Sequence, residues 1–156
     1  MIEVYNKAWN LNITNSDKKN ITFNISSGDV NVDDFNVSYP WEYEKSWMLL
    51  EVKEYANKLF YHFVVDTKHI VIISNDSFEL KEEILSFFWD VDILIITWTK
   101  DAAKIFENIE AKLVIPFGEG KDIFLNTLGQ HIEEVESHKI KAELSIDTTE
   151  FVNLSV

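Results

Sequence analysis

No cysteine occurs in this chain, and proline and glycine are scarce, at two and four among 156 residues. Without cysteine, disulfides and thiolate metal sites are excluded. With so little proline and glycine, long flexible linkers are not expected, and residues 1–156 read as a single domain. Basic residues are also few, 14 against 27 acidic, for a formal charge of −13. Such a field repels a phosphate backbone, so nucleic acid is not expected as a partner. The longest strongly apolar runs, such as Ile93 to Ile96, fall far short of the ~20 residues that span a bilayer, and no membrane association is expected. The start, Met1-Ile2-Glu3-Val4-Tyr5, lacks the basic segment and apolar run of a signal peptide, so a cytoplasmic location is the expectation.

Core material, by contrast, is plentiful. Hydrophobic residues make up 46% and aromatics 13% of the chain, and at this length folding buries about two-thirds of the unfolded chain's surface. In the first third, Ile2 to Trp9 and Leu11 to Thr14 flank a turn, and Ile21-Thr22-Phe23-Asn24-Ile25 alternates apolar and polar side chains as a half-buried strand does. Val30, Val32, Phe35 and Val37 belong to a further short extended stretch. Trp47 to Val52 and Leu59 to Val65 read as strands joined by a polar loop, and Asp66-Thr67-Lys68 turns into the continuous apolar run from His69 to Ile73.

The pattern changes after Ser74-Asn75-Asp76. Helical spacing runs from Ser77 to Trp89, then strand and helix alternate: Asp92 to Ile96, Asp101 to Glu110, Lys112 to Pro116, and Lys121 to Leu128 with Gly129 as its C-cap. Ile132 to Glu136 and Phe151 to Leu154 are further strand candidates. A β-rich first half followed by strand–helix units predicts two sheets with helices outside.

Several landmarks in this order carry a resemblance. Tyr39-Pro40-Trp41-Glu42-Tyr43-Glu44, the strand Ile70 to Ile73 with Ser74-Asn75-Asp76, Val91-Asp92-Ile93-Leu94, the pair Ala102 and Ala103, and Leu113-Val114-Ile115-Pro116-Phe117-Gly118 follow one another. Together they resemble the metallo-β-lactamase-fold hydrolases, in a branch near the ascorbate-phosphate-lactonase-like proteins. The resemblance implies a shortened αββα sandwich, two mixed sheets with helices on the outer faces. It also marks what is missing. The family's His-x-His-x-Asp-His segment would fall within Ser26 to Tyr39, which contain no histidine. Ile73 stands where a ligand histidine would be and Gly118 where the last one would be; Asp76 alone matches a ligand.

A catalytic zinc ion needs about three protein ligands and an open position for water, and Asp76 alone cannot hold one. No cofactor is therefore expected. The four histidines, His62, His69, His131 and His138, show no ligand-motif spacing and read as ordinary surface or partly buried residues. Asp76 reads first as the N-cap of the following helix, with Glu79 three residues on as in a capping box. Gly118-Glu119-Gly120 with Lys121 reads as a turn before an anion cradle, and Glu42 with Glu44 as one face of a solvated strand edge. Trp41, replacing a family glycine, and Trp98, near the same rim, are expected to plug the old cleft or, with Glu42, Tyr43 and Glu44, to form a protein-binding surface. The expectation is a pseudoenzyme that binds another protein or its own copy. Two alternatives remain: a metal-dependent phosphodiesterase or lactonase whose ligands are completed by another subunit, and an acidic inhibitor or nucleic-acid mimic.

Overall fold

Alternation of apolar and polar side chains in the first third builds a six-stranded antiparallel sheet. Its strands are β1 (Ile2–Lys7), β2 (Asn10–Thr14), β3 (Asn20–Asn24), β4 (Val30–Val32), β5 (Phe35–Val37) and β13 (Ser137–Ile140), in the spatial order β13-β1-β2-β3-β4-β5. The computed structural model describes all residues except Met1, Ser26, Trp41, Ser46, Trp47, 74–78, Leu80, 98–101, Glu119, Ala142, 145–147 and Val156, and the side chains of Ala102 and Ala103.

Two features of this sheet differ from expectation. The stretch from Val30 to Val37 is a hairpin of two strands, closed at Asp33, whose φ is 51° and whose Oδ1 accepts the Asn20 N–H at 3.0 Å. The segment from Ser137 to Ile140, not expected from sequence as a strand, pairs with β1 along Ile2↔Ile140 and Val4↔His138. It has one apolar side chain, Ile140, which is also its one buried residue, so no apolar–polar alternation marks it.

The second sheet has seven strands in the order β14-β11-β10-β9-β8-β7-β6. They are β6 (Glu42–Lys45), β7 (Met48–Tyr55), β8 (Lys58–Val65), β9 (Lys68–Ile73), β10 (Ile93–Thr97), β11 (Leu113–Phe117) and β14 (Glu150–Phe151). From β6 to β9 neighbours are antiparallel; from β9 to β14 they are parallel. The expected polar loop before Lys58 is instead a two-residue turn at Ala56 and Asn57, with φ of 53° and 62°, so both flanking strands run longer. Ala8–Trp9 and Asp66–Thr67 have the same pair of positive φ values, the backbone of turns whose twist matches that of the strands they join. A short parallel pair, β12 (Glu134–Val135) with β15 (Asn153–Leu154), lies apart.

Parallel neighbours need crossovers, and these carry α1 (Glu82–Phe87), α2 (Ala102–Glu107) and α3 (Lys121–Thr127). The capping box expected at Asp76 and Glu79 does not start α1. Lys81 occupies its N-cap with no side-chain bond, and Asp76 lies outside the described residues. The C-cap of α3 is Leu128, and Gly129 follows it in the left-handed conformation that ends the helix: its φ is 69°, its N–H bonds Asn126 O at 3.0 Å, and the Gln130 N–H reaches back to Leu125 O at 2.8 Å.

Two apolar layers result. Ile2, Val4, Ile13, Ile21 and Phe23 of the first sheet meet Leu50, Phe63, Ile72, Ile95 and Ile115 of the second. On that second sheet's other face, Phe60, Val71, Ile73, Leu94, Ile96 and Val114 pack under Ile84, Phe87, Ile105, Phe124 and Leu125 from the three helices. The outer face of the six-stranded sheet carries no helix among the described residues. Its side chains are amides and hydroxyls in register, Tyr5–Asn12–Thr22–Asn31–Asn36. Asn12 Oδ1 accepts from Asn20 Nδ2 at 3.0 Å, and Asn24 Nδ2 donates to Asn10 Oδ1 at 3.0 Å. That polar face explains how the sandwich does without a fourth layer: nothing apolar there needs covering.

Candidate functional site

Metal ligands of the resembled family would gather at the carboxyl ends of the parallel strands. Here β9 ends in Ile73, β10 in Thr97 and β11 in Phe117 followed by Gly118. Ile73 is fully buried, and its side chain belongs to the helix-side core. Gly118 has φ of 93°, and a Cβ built there would sit 3.7 Å from Thr97 Oγ1. Backbone conformation, not lack of room, thus favours glycine. Phe117 points between the sheets, its ring 5.2 Å from that of Phe23 and edge-on to it. Asp76, Trp98 and Trp41 lie outside the described residues.

The Gly118–Lys121 turn is not an anion cradle. Lys121 is buried, and its ammonium donates to Leu154 O at 2.7 Å and to Glu134 Oε2 at 3.1 Å. Those contacts tie α3 to β12 and β15.

Glu42, Tyr43 and Glu44 form β6, an edge of the seven-stranded sheet. Period-two alternation sends Tyr43 inward, where its hydroxyl donates to Tyr39 O at 3.0 Å and its ring lies 5.5 Å from Phe35. Glu42 and Glu44 stand exposed on the helix side. The two sheets are also clasped here by Lys45, which pairs with Asp34 at 2.9 Å and lies 5.8 Å above the Phe35 ring. The bond and charge of Lys45 hold the Asp34 carboxyl below its usual range. Phe35 and Tyr39, neither expected from sequence as part of an interaction surface, remain 40% and 73% exposed.

The structure also brings together two histidines that sequence spacing left apart. Across the β8–β9 hairpin, His62 lies opposite Val71 and His69 opposite Val64, which makes the two imidazoles diagonal neighbours on one face. His62 Nδ1 is 3.0 Å from Phe87 O, and His62 Nε2 is 2.8 Å from His69 Nδ1. A carbonyl can only accept, so His62 Nδ1 carries the hydrogen. His62 Nε2 is then an acceptor, and His69 Nδ1 donates to it. Burial, partly offset by the Phe87 carbonyl, holds the His62 pKa below its usual value. Asp92 anchors the backbone at the start of β9: its Oδ2 accepts the main-chain N–H of His69 at 2.8 Å, and its Oδ1 pairs with Lys112 at 3.0 Å. The signal for the pair was the turn at Asp66–Thr67. Two turn residues set the register, and the register sets the diagonal.

A half-open cavity of about 270 Å³ lies beside these rings, lined by Glu42, Leu49, Glu51, His62, Val64 and His69 among others. Among the described residues no three His, Asp or Glu side chains are grouped to hold a metal ion, and no helix is long and apolar enough to cross a membrane.

No protein-family model and no curated protein matches the sequence. Among solved structures, the chain is similar to one from Thermotoga maritima described as a candidate zinc-dependent hydrolase of the metallo-β-lactamase superfamily. The two superpose with a TM-score of 0.76 over 100% of each chain, at 13% sequence identity. The fold is that of the metallo-β-lactamase superfamily, and at this identity the likeness is one of fold.

Proposed function

We propose that this chain is a non-catalytic protein of the metallo-β-lactamase fold that works by binding another protein or a second copy of itself. The observation that carries the reading is the state of the parallel strands' carboxyl ends, where Ile73 is sealed into the core and Gly118 offers no side chain. Residues 26–39 add support: they contain no histidine and run through the β4–β5 hairpin. The partner would meet the edge formed by β5 and β6, where Phe35 and Tyr39 are exposed. Charged Glu42, Glu44 and Lys45 on β6 discourage a bare strand from pairing there, so contact through side chains is favoured.

The test is metal content by mass spectrometry after zinc and manganese are added back at micromolar levels, with sedimentation of the wild type and a Phe35→Ser/Tyr39→Ser variant. Little or no bound metal, with a salt-insensitive association lost in the variant, is the expected result, because a ligand set short of the roughly three that zinc requires does not retain the ion. One or two equivalents of metal with hydrolysis of a phosphodiester or lactone would overturn it in favour of an enzyme completed by another subunit. Association only with basic proteins, dissolved by salt, would point to an acidic inhibitor instead.

A further inference from the structure

We propose that the cavity beside His62 and His69 is a binding site for a small primary amine carrying a short apolar chain. It lies at the opposite end of β9 from Ile73, about 13 Å away at the rise of an extended strand, and is thus separate from the strand ends where the fold family places its metal ligands.

The argument begins with the register. Glu42 faces Glu51, and Glu51 faces His62, in one row across β6, β7 and β8. The adjoining row is Glu44–Leu49–Val64–His69. Two carboxylates directly opposite on adjacent strands repel one another, and neither Glu42 nor Glu51 has an ion-pair partner among the described residues.

The imidazole pair determines what else the cavity offers. Phe87 O fixes the hydrogen on His62 Nδ1, and with His62 Nε2 as the acceptor His69 Nδ1 donates to it. The polar side chains lining the space are two carboxylates, Glu42 and Glu51, and the imidazole pair. An ammonium group, with three donors and a positive charge, is complementary to that set. The remaining wall is apolar. Leu49 is 50% exposed and Val64 half-buried, and together they offer a surface for a hydrocarbon chain. At about 270 Å³, the cavity is just under the size range of drug-like ligands, which favours a short amine. A metal ion fits less well, because no three ligands converge among the described residues.

The experiment is a titration of the full chain with n-pentylamine at pH 7.5, followed by long-range proton–nitrogen NMR of the histidine rings. n-Pentanol and pentanoate serve as controls. Before ligand, both His62 and His69 should show the Nδ1–H tautomer. Pentylamine should then shift both rings saturably, while pentanol and pentanoate do not. Glu51→Gln and Glu42→Gln, both at exposed positions, should each weaken binding about tenfold, as loss of a charged hydrogen-bond partner does. Glu54→Gln, an exposed glutamate on the same strand outside the cavity, should leave binding unchanged. Non-saturating shifts, or equal weakening by Glu54→Gln, would reduce the effect to bulk acidity and overturn the proposal. So would stoichiometric zinc binding at His69 Nε2 with no response to the amine, which would make this a metal site.

Discussion

At the scale of single residues, the four histidines show how much depends on surroundings. His62 and His138 both have pKa values lowered first by burial, so the unfolded chain binds protons more readily than the native one. Stability contributed by keeping these rings neutral is complete above the unfolded value of about 6.5 and is lost as pH falls from there through the lower folded values. The urea midpoint should therefore fall between pH 7 and 5.5, and His62→Gln/His138→Gln should flatten that slope; an unchanged slope would place the titration elsewhere. Neither ring's setting was legible in the sequence. His62 is flanked by Tyr61 and Phe63 in a visible strand, but its bond to Phe87 O joins residues 25 apart in the chain. Ile73 and Gly118 were readable as substitutions at landmark positions; that Ile73 turns into the helix-side layer needed the fold.

At the scale of elements, strands were legible wherever apolar and polar residues alternate or run together, as in Ile21 to Ile25 and His69 to Ile73. Turns were less so. Asp66–Thr67 was visible from its composition, whereas Ala8, Trp9 and Ala56 are residues without strong turn signals held at φ of 51° to 65°, which residues other than Gly, Asn and Asp adopt at a cost of about 1–2 kcal/mol each. Replacing Ala56–Asn57 with Asn–Gly supplies the residues this turn favours. Chemical denaturation of that double variant should show a gain of about 1 kcal/mol; a loss would mean the native turn side chains make contacts that outweigh backbone strain. Helix bounds were less legible: the spacing from Ser77 to Trp89 covers α1, which spans Glu82–Phe87 with Lys81 at its N-cap and no side-chain cap bond, while Ser77, Phe78 and Leu80 lie outside the described residues.

At the scale of the whole molecule, a formal charge of −13 makes the compact state repel itself. Described ion pairs such as Lys53–Glu83 and Lys81–Glu79 are largely exposed and are each expected to contribute about 1 kcal/mol or less. Raising ionic strength from about 0.01 to 0.1 M shortens the screening length from about 30 to about 10 Å. The thermal midpoint should rise over that range; a fall would show that the ion pairs outweigh the repulsion. Sandwich architecture was readable from the change of pattern near Ser74, but the pairing of β13 with β1 was not, since nothing local joins Ile140 to Ile2. That pairing orders events on the ribosome. The β1 edge of the first sheet stays open until Ile140 has emerged, roughly a hundred residues after β5, a wait of about 5 to 20 seconds at typical synthesis rates. During that interval the edge can accept any strand of matching register, including β13 from a neighbouring chain on the same message, so exchange of this one strand is the route by which two copies would become entangled at birth.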